Sequence, residues 1–147
     1  MEATDRKILH LLAADGRMSY TDLGKATGLS TSAVHQRVKR LEQRGLIQGY
    51  GAALNHAELG LPLTAFVAIR PMDPSQPDDC PERVSGFTEI ESCWSVAGDD
   101  SYILKVRTAT PAALEELLAQ IRSAANVSTR TTIALSTYYE NRPVTEG

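Results

Sequence analysis

The chain has 147 residues and a formal net charge of −3, and 42% of its residues are hydrophobic. That length fits one average domain or two small ones, and the apolar content excludes a disordered chain. No run approaches the roughly 18 apolar residues that a membrane span needs. Because an amphipathic pattern begins directly after Met1, we expect no signal peptide.

Charge is distributed unevenly along the chain. Residues 1–50 carry eight basic and five acidic side chains, whereas the remaining residues carry seven basic and thirteen acidic ones. A basic segment joined to an acidic one indicates a polyanionic partner for the first and a different task for the second. Cys80 and Cys93 lack metal-ligand spacing, and without an export signal we expect them to be reduced in a cytoplasmic protein.

Three helical segments fill residues 1–50, which we predict to form the first domain. The first runs from about Thr4 to Ala14, the second follows Ser19 as N-cap, and the third follows Ser30 as N-cap and runs to Arg44. Only Thr27-Gly28-Leu29 separates the second helix from the third. A turn this short, with a glycine, makes the two helices cross steeply and predicts a helix-turn-helix.

The outer face of the third helix favours contact with DNA. When Val34, Val38 and Leu41 face the core at about 100° per residue, the opposite side collects hydroxyl, amide and basic groups, with no carboxylate near its centre. Hydroxyls and amides hydrogen-bond to base edges, and cations neutralise phosphates, whereas a merely solvated face usually mixes both signs of charge. The predicted DNA-binding residues are Ser30, Thr31, Ser32, His35, Gln36, Arg37, Lys39 and Arg40, of which Arg37 turns back towards the domain and holds either structure or a phosphate.

The hydrophobic period changes from 3.6 to 2 in the second half of the chain. A β-like stretch from Leu46 leads into residues 51–61, the predicted connecting strand and linker, and residues 62–147 are predicted to form a second domain. Its strands are expected at Leu63–Arg70, Glu89–Val96, Ser101–Thr108 and Asn126–Tyr139, with helices at about Asp79–Gly86 and after Thr110. This βαββαβ order is the ferredoxin-like plan, so the predicted fold class is α+β.

A ferredoxin-like sheet carries both helices on one face, so its other face must meet water or another sheet. The residues expected there are too apolar for water, and we therefore predict a homodimer formed through this domain. A dimer also suits a helix-turn-helix, since one recognition helix covers only a half-site. The residues expected on this face are Phe66, Ala68, Trp94, Val96 and Ala134.

The segment Gly98-Asp99-Asp100-Ser101-Tyr102 lies between two predicted strands. Taken alone it describes a hairpin turn, because Gly tolerates φ > 0 and Asp bonds its own backbone. It also packs a glycine, two carboxylates and a tyrosine into five residues, so the residues alone leave open whether it is only a turn or also a site.

Two motifs in this order resemble the Lrp/AsnC (leucine-responsive, feast/famine) family of prokaryotic transcription regulators. They are "SAVHQRVKRLEQRGLI" in the third helix and its exit turn, and "VAGDDSYIL" around the second hairpin. The resemblance extends from about Thr4 to Arg142 and implies a winged helix-turn-helix followed by an effector-binding and oligomerisation domain. Gly24, where the family often has Ala, and the long Pro-rich loop Pro71–Pro81 depart from the family pattern.

The resemblance implies a sequence-specific regulator of amino-acid metabolism, controlled by a small amino acid bound near subunit contacts. Its implied partners are double-stranded DNA, the effector and further copies of the chain, in a homodimer that assembles to a tetramer or octamer without a membrane. No cofactor is expected beyond the amino-acid effector. The resemblance implies that backbone N–H groups around Gly98 hold the carboxylate of the amino acid and that Asp99 or Asp100 pairs with its ammonium, two aspartates that the sequence does not separate. Tyr102 is expected to wall the pocket for the effector's side chain. The implied effector-binding residues are Ala97, Gly98, Asp99, Asp100, Tyr102, Thr131 and Thr132.

Three other functions compete with this interpretation. The sequence has no Ser/His/Asp set, GxGxxG or P-loop, and adjacent Asp99 and Asp100 point in different directions on a strand end, so we expect no catalysis. A metal bound by these aspartates with Glu89 or Glu91 would lack nearby His or Cys ligands, so we expect no metal site. A DNA-architectural regulator with no effector remains as the alternative.

Overall fold

The computed structural model describes residues 1–144, so residues 145–147 of the predicted second domain lie outside the described residues. Contacts divide the chain into two compact units. The first unit is Met1–Ala53 with the described part of the segment from Tyr139 onward, and the second is Leu54–Tyr138. In residues 1–144, none of the helices has the length and apolar character needed to span a membrane.

Three helices form the first unit: α1 at Ala3–Ala14, α2 at Tyr20–Thr27 and α3 at Thr31–Gln43. Both predicted N-caps are confirmed. The Ser19 hydroxyl oxygen accepts a hydrogen bond from the Asp22 backbone N–H at 3.0 Å, and that of Ser30 accepts from the Ala33 N–H at 3.2 Å. Each such cap stabilises its helix by about 1 kcal/mol, because it satisfies a backbone donor that the helix leaves open. The buried core of this unit consists of Ile8, Leu12, Leu23, Val34, Val38 and Leu41.

The turn between α2 and α3 is unusually tight at Gly24. The backbone N–H groups of Gly28 and Leu29 both donate to the Gly24 carbonyl oxygen, at 2.8 and 3.0 Å. A Cβ atom added at Gly24 would lie 2.6 Å from the Leu29 carbonyl oxygen. A side chain at this position would therefore force the backbone near Leu29 to shift, which is consistent with a glycine here.

The stretch after α3 does not form the expected strand within one chain. Gly45 takes a left-handed conformation with φ +76° and ends the helix, and residues 46–62 pair with no strand in the described part of the chain. An extended segment becomes a strand only where a neighbouring strand accepts its hydrogen bonds. A hydrogen-bonded turn over Asn55–Leu61 then leads to the second unit.

The second unit has the predicted βαββαβ order and confirms the α+β fold class. Its four strands form one antiparallel sheet in the order β2-β3-β1-β4, and α4 and α5 pack on the same face of that sheet. The elements are β1 at Leu63–Pro71, α4 at Cys80–Val84, β2 at Ile90–Ser95, β3 at Tyr102–Thr108, α5 at Pro111–Ala125 and β4 at Val127–Ile133.

The last strand is shorter than predicted, because it ends at Ile133 and not at Tyr139. Ile133 pairs with Ala65, and the Ala134 N–H donates to the Thr64 carbonyl oxygen at 2.9 Å. Since β1 begins at Leu63, residues beyond Ala134 have no strand beside them. The composition of the segment correctly predicted a strand, but it could not show that the neighbouring strand, β1, begins at Leu63.

The two faces of the sheet differ in what covers them. On the helix-covered face, Ala65, Val67 and Ile69 of β1 are fully buried against α4 and α5. On the other face, Phe66 is 38% and Trp94 is 48% exposed. We call this second side the open face; its apolar part consists of Phe66, Ala68, Trp94 and Ile103. The predicted outward positions of Phe66, Ala68 and Trp94 are therefore correct, while Val96 and Ala134 follow the ends of their strands.

Candidate DNA-reading helix and effector turn

Helix α3 presents a polar side to solvent and packs the other side into the core. Val34, Val38 and Leu41 are buried, whereas the hydroxyl, amide and basic side chains on the opposite side are exposed. In the part of the chain that the structure describes, the side chains of Gln36 and Lys39 make no hydrogen bond or ion pair. These groups are therefore free to contact an external partner. The exposed members of the predicted set are Ser30, Thr31, Ser32, His35, Gln36, Lys39 and Arg40.

The three hydroxyl side chains at the start of α3 differ in what they contact. The Ser30 oxygen caps the helix and also lies 3.3 Å from the Ser32 hydroxyl. Thr31 and Ser32 are the exposed hydroxyls of the first helical turn. Ser30 thus has a structural task, and Thr31 and Ser32 are better placed than Ser30 to reach a nucleic acid.

Arg37 occupies a different position from the rest of the predicted DNA-binding set. One of its guanidinium nitrogens donates to Glu2 at 2.9 Å and to Asp5 at 3.0 Å. These hydrogen bonds raise the pKa of the Arg37 guanidinium above its ordinary value. Arg37 therefore braces α3 against the start of α1, which agrees with the structural alternative that the sequence left open, while its contact with a phosphate stays a prediction.

A tyrosine that the sequence analysis did not select lies beside the exposed face of α3. The rings of Tyr20 and His35 meet edge to face, with centroids 5.4 Å apart and planes at 73°. Tyr20 is the first residue of α2, directly after the Ser19 cap. That position could have been read from the capping pattern, because the start of α2 lies against α3 in a helix-turn-helix.

The segment Gly98–Tyr102, which we call the effector turn, is fastened to β1 as well as to its own hairpin. The Ser101 N–H donates to the Ile69 carbonyl oxygen at 3.0 Å, and the Arg70 guanidinium donates to the Asp99 carbonyl oxygen. The hairpin itself is closed by a 3.0 Å bond from the Val96 N–H to the Ser101 carbonyl. The turn is therefore positioned by the end of β1 as well as by the two strands that it joins.

Gly98 does not need glycine for its backbone conformation. It is absent from the described glycines with positive φ, so the expectation of a left-handed turn residue is not met. A Cβ atom at Gly98 would meet no atom within 4 Å. The absence of a side chain there leaves the backbone open to a ligand, which is the remaining physical reason for a glycine at this position.

The structure separates the two aspartates that the sequence left equivalent. The Asp100 carboxylate forms an ion pair with Arg130 of β4, and the Asp100 side chain is only 15% exposed. Among residues 1–144, the exposed Asp99 carboxylate has no hydrogen-bond or ion-pair partner. Asp99 is thus the carboxylate available to an ammonium, and Asp100 is engaged within the fold.

Tyr102 belongs to the helix-covered face. It is 8% exposed, and its hydroxyl donates to an Asp78 carboxylate oxygen at 2.6 Å. This hydrogen bond, together with burial, raises the pKa of Tyr102 to about 12. Tyr102 therefore links the effector turn to the Pro71–Pro81 loop, and its part in effector binding stays a prediction.

The contribution of Thr131 and Thr132 of β4 to the effector site stays a prediction. Thr131 pairs with Val67 and Thr132 pairs with Phe66, which places both further along the sheet from the effector turn. Within one chain the structure does not bring them to Gly98 and Asp99. It brings Arg130 to the Asp100 carboxylate and Arg70 to the Asp99 carbonyl oxygen, and neither arginine was selected from the sequence. Arg70 could have been found from the two-residue alternation of β1, which places it on the same face as Phe66 and Ala68.

A second charged cluster lies at the side of the open face. Glu91 accepts from Lys105 at 2.9 Å and from Arg107 at 2.7 Å. Burial by itself would raise the pKa of Glu91, but the hydrogen bonds from the two cations outweigh it and the pKa is lowered. Glu91 is therefore bound to cationic side chains. Across residues 1–144, no group of three or more His, Cys, Asp or Glu side chains is placed to hold a metal ion.

Family models match both units of the chain. The AsnC-type helix-turn-helix domain matches residues 1–42. The Lrp/AsnC ligand binding domain matches residues 64–144, which include the sheet, the effector turn and both helices of the second unit. The boundary between the two matched ranges lies where the chain changes from the helical unit to the sheet.

Individual proteins are similar over nearly the same length. The HTH-type transcriptional regulator LrpA of Mycobacterium tuberculosis is 54% identical over 142 residues, covering 97% of this chain and 95% of the relative. The leucine-responsive regulatory protein of Escherichia coli K12 is 39% identical over 123 residues, covering 82% of this chain and 74% of the relative. Among solved structures, a feast or famine regulatory protein from M. tuberculosis complexed with L-methionine has a TM-score of 0.96 and 52% identity, with 99% of each chain covered.

Proposed function

Because this chain belongs to the Lrp/AsnC family of transcriptional regulators, we propose that α3 reads its DNA site and that an amino acid bound at the effector turn controls it. The chain is a transcriptional regulator with a DNA-binding helix-turn-helix and a ligand-binding domain. The residue assignments and the identity of the effector are the proposed part. The genes that it controls are proposed to serve amino-acid metabolism, and no catalytic step takes part.

One observation carries the effector assignment. The Asp99 carboxylate is exposed and unpartnered among the described residues, beside a glycine whose surroundings are open. An aspartate placed in this way binds an ammonium through charge-assisted hydrogen bonds. L-methionine, the ligand in the related structure, has that ammonium, and we propose it or a similar apolar amino acid as the effector.

The DNA assignment follows from the exposed side of α3. Gln36 at the middle of the helix presents an amide that suits a paired hydrogen bond to adenine, and Thr31 and Ser32 reach base edges or sugar. Lys39 and Arg40 neutralise phosphates at the groove edge. We propose that the protein acts in the cytoplasm, where a DNA-binding regulator meets the chromosome.

The open face supports a homodimer. Phe66 and Trp94 leave a large apolar surface in water within a single chain, and a second sheet would bury it. Two copies would also supply two recognition helices for half-sites about one helical turn of DNA apart. We propose that such dimers assemble further into a tetramer or octamer, with the effector near contacts between subunits.

The proposal is tested by a thermal-shift screen of all proteinogenic amino acids in the presence of a chelator, with oligomer size measured on the same samples. We expect L-methionine or a similar amino acid to raise the unfolding midpoint, because a ligand that binds only the folded state stabilises it. Intact DNA binding without a shift from any amino acid would contradict the effector role and support a DNA-architectural regulator.

A further inference from the structure

The register of the sheet brings two arginines to the effector turn. Arg70 lies opposite Ser128, and Arg130 lies opposite Ala68, so the two arginines are diagonal neighbours on adjacent strands. Diagonal pairs on one face of a sheet are separated by about 7–8 Å, within reach of long side chains. Both side chains project from the open face, where they meet Asp99 and Asp100.

Each arginine forms a hydrogen bond with the effector turn and still has N–H donors that are not used in it. Arg130 donates to the Asp100 carboxylate, and Arg70 donates to the Asp99 carbonyl oxygen. These are the only side-chain bonds of the two guanidinium groups among the described residues, and a guanidinium has five N–H donors. The Arg130 side chain is 69% exposed, so its remaining donors face solvent.

The side chains of Arg70, Arg130, Asp99 and Asp100 form a patch that is complementary to a zwitterion. It contains two guanidinium groups, one carboxylate that is engaged by Arg130, and one carboxylate, Asp99, that is exposed. A planar guanidinium matches the two oxygens of a carboxylate and holds them by parallel hydrogen bonds. Asp99 offers the opposite charge for an ammonium on the same turn.

The geometry points to Arg130 and Arg70 as the groups that hold the carboxylate of the effector, while Asp99 holds its ammonium. This inference rests on the proposed function and assigns the head-group contacts of that same site. Asp100 is a positioning residue, since its ion pair keeps Arg130 turned towards the effector turn. The site therefore selects free α-amino acids, and a compound that lacks either charged end loses one half of the binding contacts.

The test compares L-methionine with L-methioninamide, which keeps the ammonium and the side chain but lacks the carboxylate. Binding of both compounds is measured by calorimetry on the full-length wild type, Arg130→Gln and Arg122→Gln. Arg122 is a matched control, because its guanidinium bonds to Thr129 at 2.9 Å and is not joined to the effector turn.

We expect the wild type to bind the acid about 10- to 100-fold more tightly than the amide, the usual effect of hydrogen bonds between charged groups. In Arg130→Gln this ratio should fall to within about threefold, with the loss almost entirely in affinity for the acid. Arg122→Gln should keep the wild-type ratio. Arg130→Lys should give an intermediate ratio, because it retains the charge without the planar pair of donors.

Two further variants make the assignment decisive. Arg70→Gln should also reduce the ratio of the affinity for the acid to the affinity for the amide. Asp100→Asn should reduce the same ratio but keep the affinity for the amide, because Asp99 still binds the ammonium. An unchanged ratio in both Arg130→Gln and Arg70→Gln would overturn the arginine assignment and leave the effector function standing. Failure of the wild type to bind any free amino acid would overturn the proposed function itself.

Discussion

The proposed DNA-reading side of α3 and the proposed effector site at the effector turn use charge in different ways. On α3, Gln36 and Lys39 have no partner among the described residues and stand on a helix fixed by a buried core. At the effector turn, Arg130 is paired with Asp100, and Arg70 with the Asp99 carbonyl. A surface for a long polyanion needs a rigid face of the right sign, whereas a site for a small zwitterion must contain both signs and keep them apart.

The two regions also differ in how much of the site one chain supplies. The reading side of α3 lies on a single helix. The effector turn adjoins an open face whose apolar residues are left in water by one chain, with Phe66 and Trp94 more than one-third exposed. The first region should therefore survive changes that separate subunits, while the second should not.

The largest expected effect is on assembly. Phe66→Glu places a carboxylate in the centre of the proposed sheet-to-sheet contact, and we expect the dimer dissociation constant to rise at least about 100-fold, because a buried unpaired charge costs several kcal/mol. Light scattering coupled to gel filtration should then show a 15.9 kDa monomer. Leu59→Glu, at a 60% exposed position in the turn before β1, is the control and should keep the wild-type mass. An unaltered dimer in Phe66→Glu would remove the open face as the interface.

Two glycines provide the next contrast between the regions. Gly24→Ala should lower the stability of the first unit by about 1–3 kcal/mol, because the new methyl group would collide with the Leu29 carbonyl. Gly98→Ala should change the unfolding free energy by less than about 0.5 kcal/mol, since the space around it is open. Chemical denaturation of both variants measures the difference. Equal stability losses would show that the two turns are packed alike.

Gln36→Ala tests whether the exposed side of α3 reads bases. We expect a relaxed preference at one base pair, with a loss of roughly 1–3 kcal/mol for the preferred base and little change for the others. Binding to a panel of operators with single substitutions, at one salt concentration, measures this effect. A uniform loss over the whole panel would assign Gln36 to the DNA backbone.

The smallest predicted change concerns Lys39→Ala. Loss of one phosphate contact should weaken binding to all sequences and flatten the slope of log affinity against log salt by about one unit. The opposite-region control is Arg122→Gln in the second unit, which should leave this slope unaltered. A wild-type slope in Lys39→Ala would place Lys39 away from the phosphates.

Much of this architecture was readable from local patterns. The caps at Ser19 and Ser30 and the alternation that turned Phe66 and Trp94 outward are short-range features, and the structure has them where the sequence predicts them. The end of β4 was mispredicted because strand length depends on a partner far away in the chain.

The candidate sites were harder to predict, because their side chains choose among distant partners. Arg37 has the spacing of a surface cation on α3, yet it bonds to Glu2 and Asp5 more than thirty residues earlier. The difference between Asp99 and Asp100 depends on Arg130, which only the pairing of β4 with β1 brings near. The sequence predicted this turn as the candidate site, and the sheet register distinguished its two carboxylates.

The most direct test of the account is the calorimetric titration of L-methionine into wild type and Asp99→Ala, with DNA affinity measured on the same preparations. We predict saturable binding by the wild type, loss of at least about tenfold in affinity for Asp99→Ala because its charge-assisted bonds are removed, and equal DNA binding by both. Wild-type affinity for the amino acid in Asp99→Ala would contradict the placement of the effector at this turn.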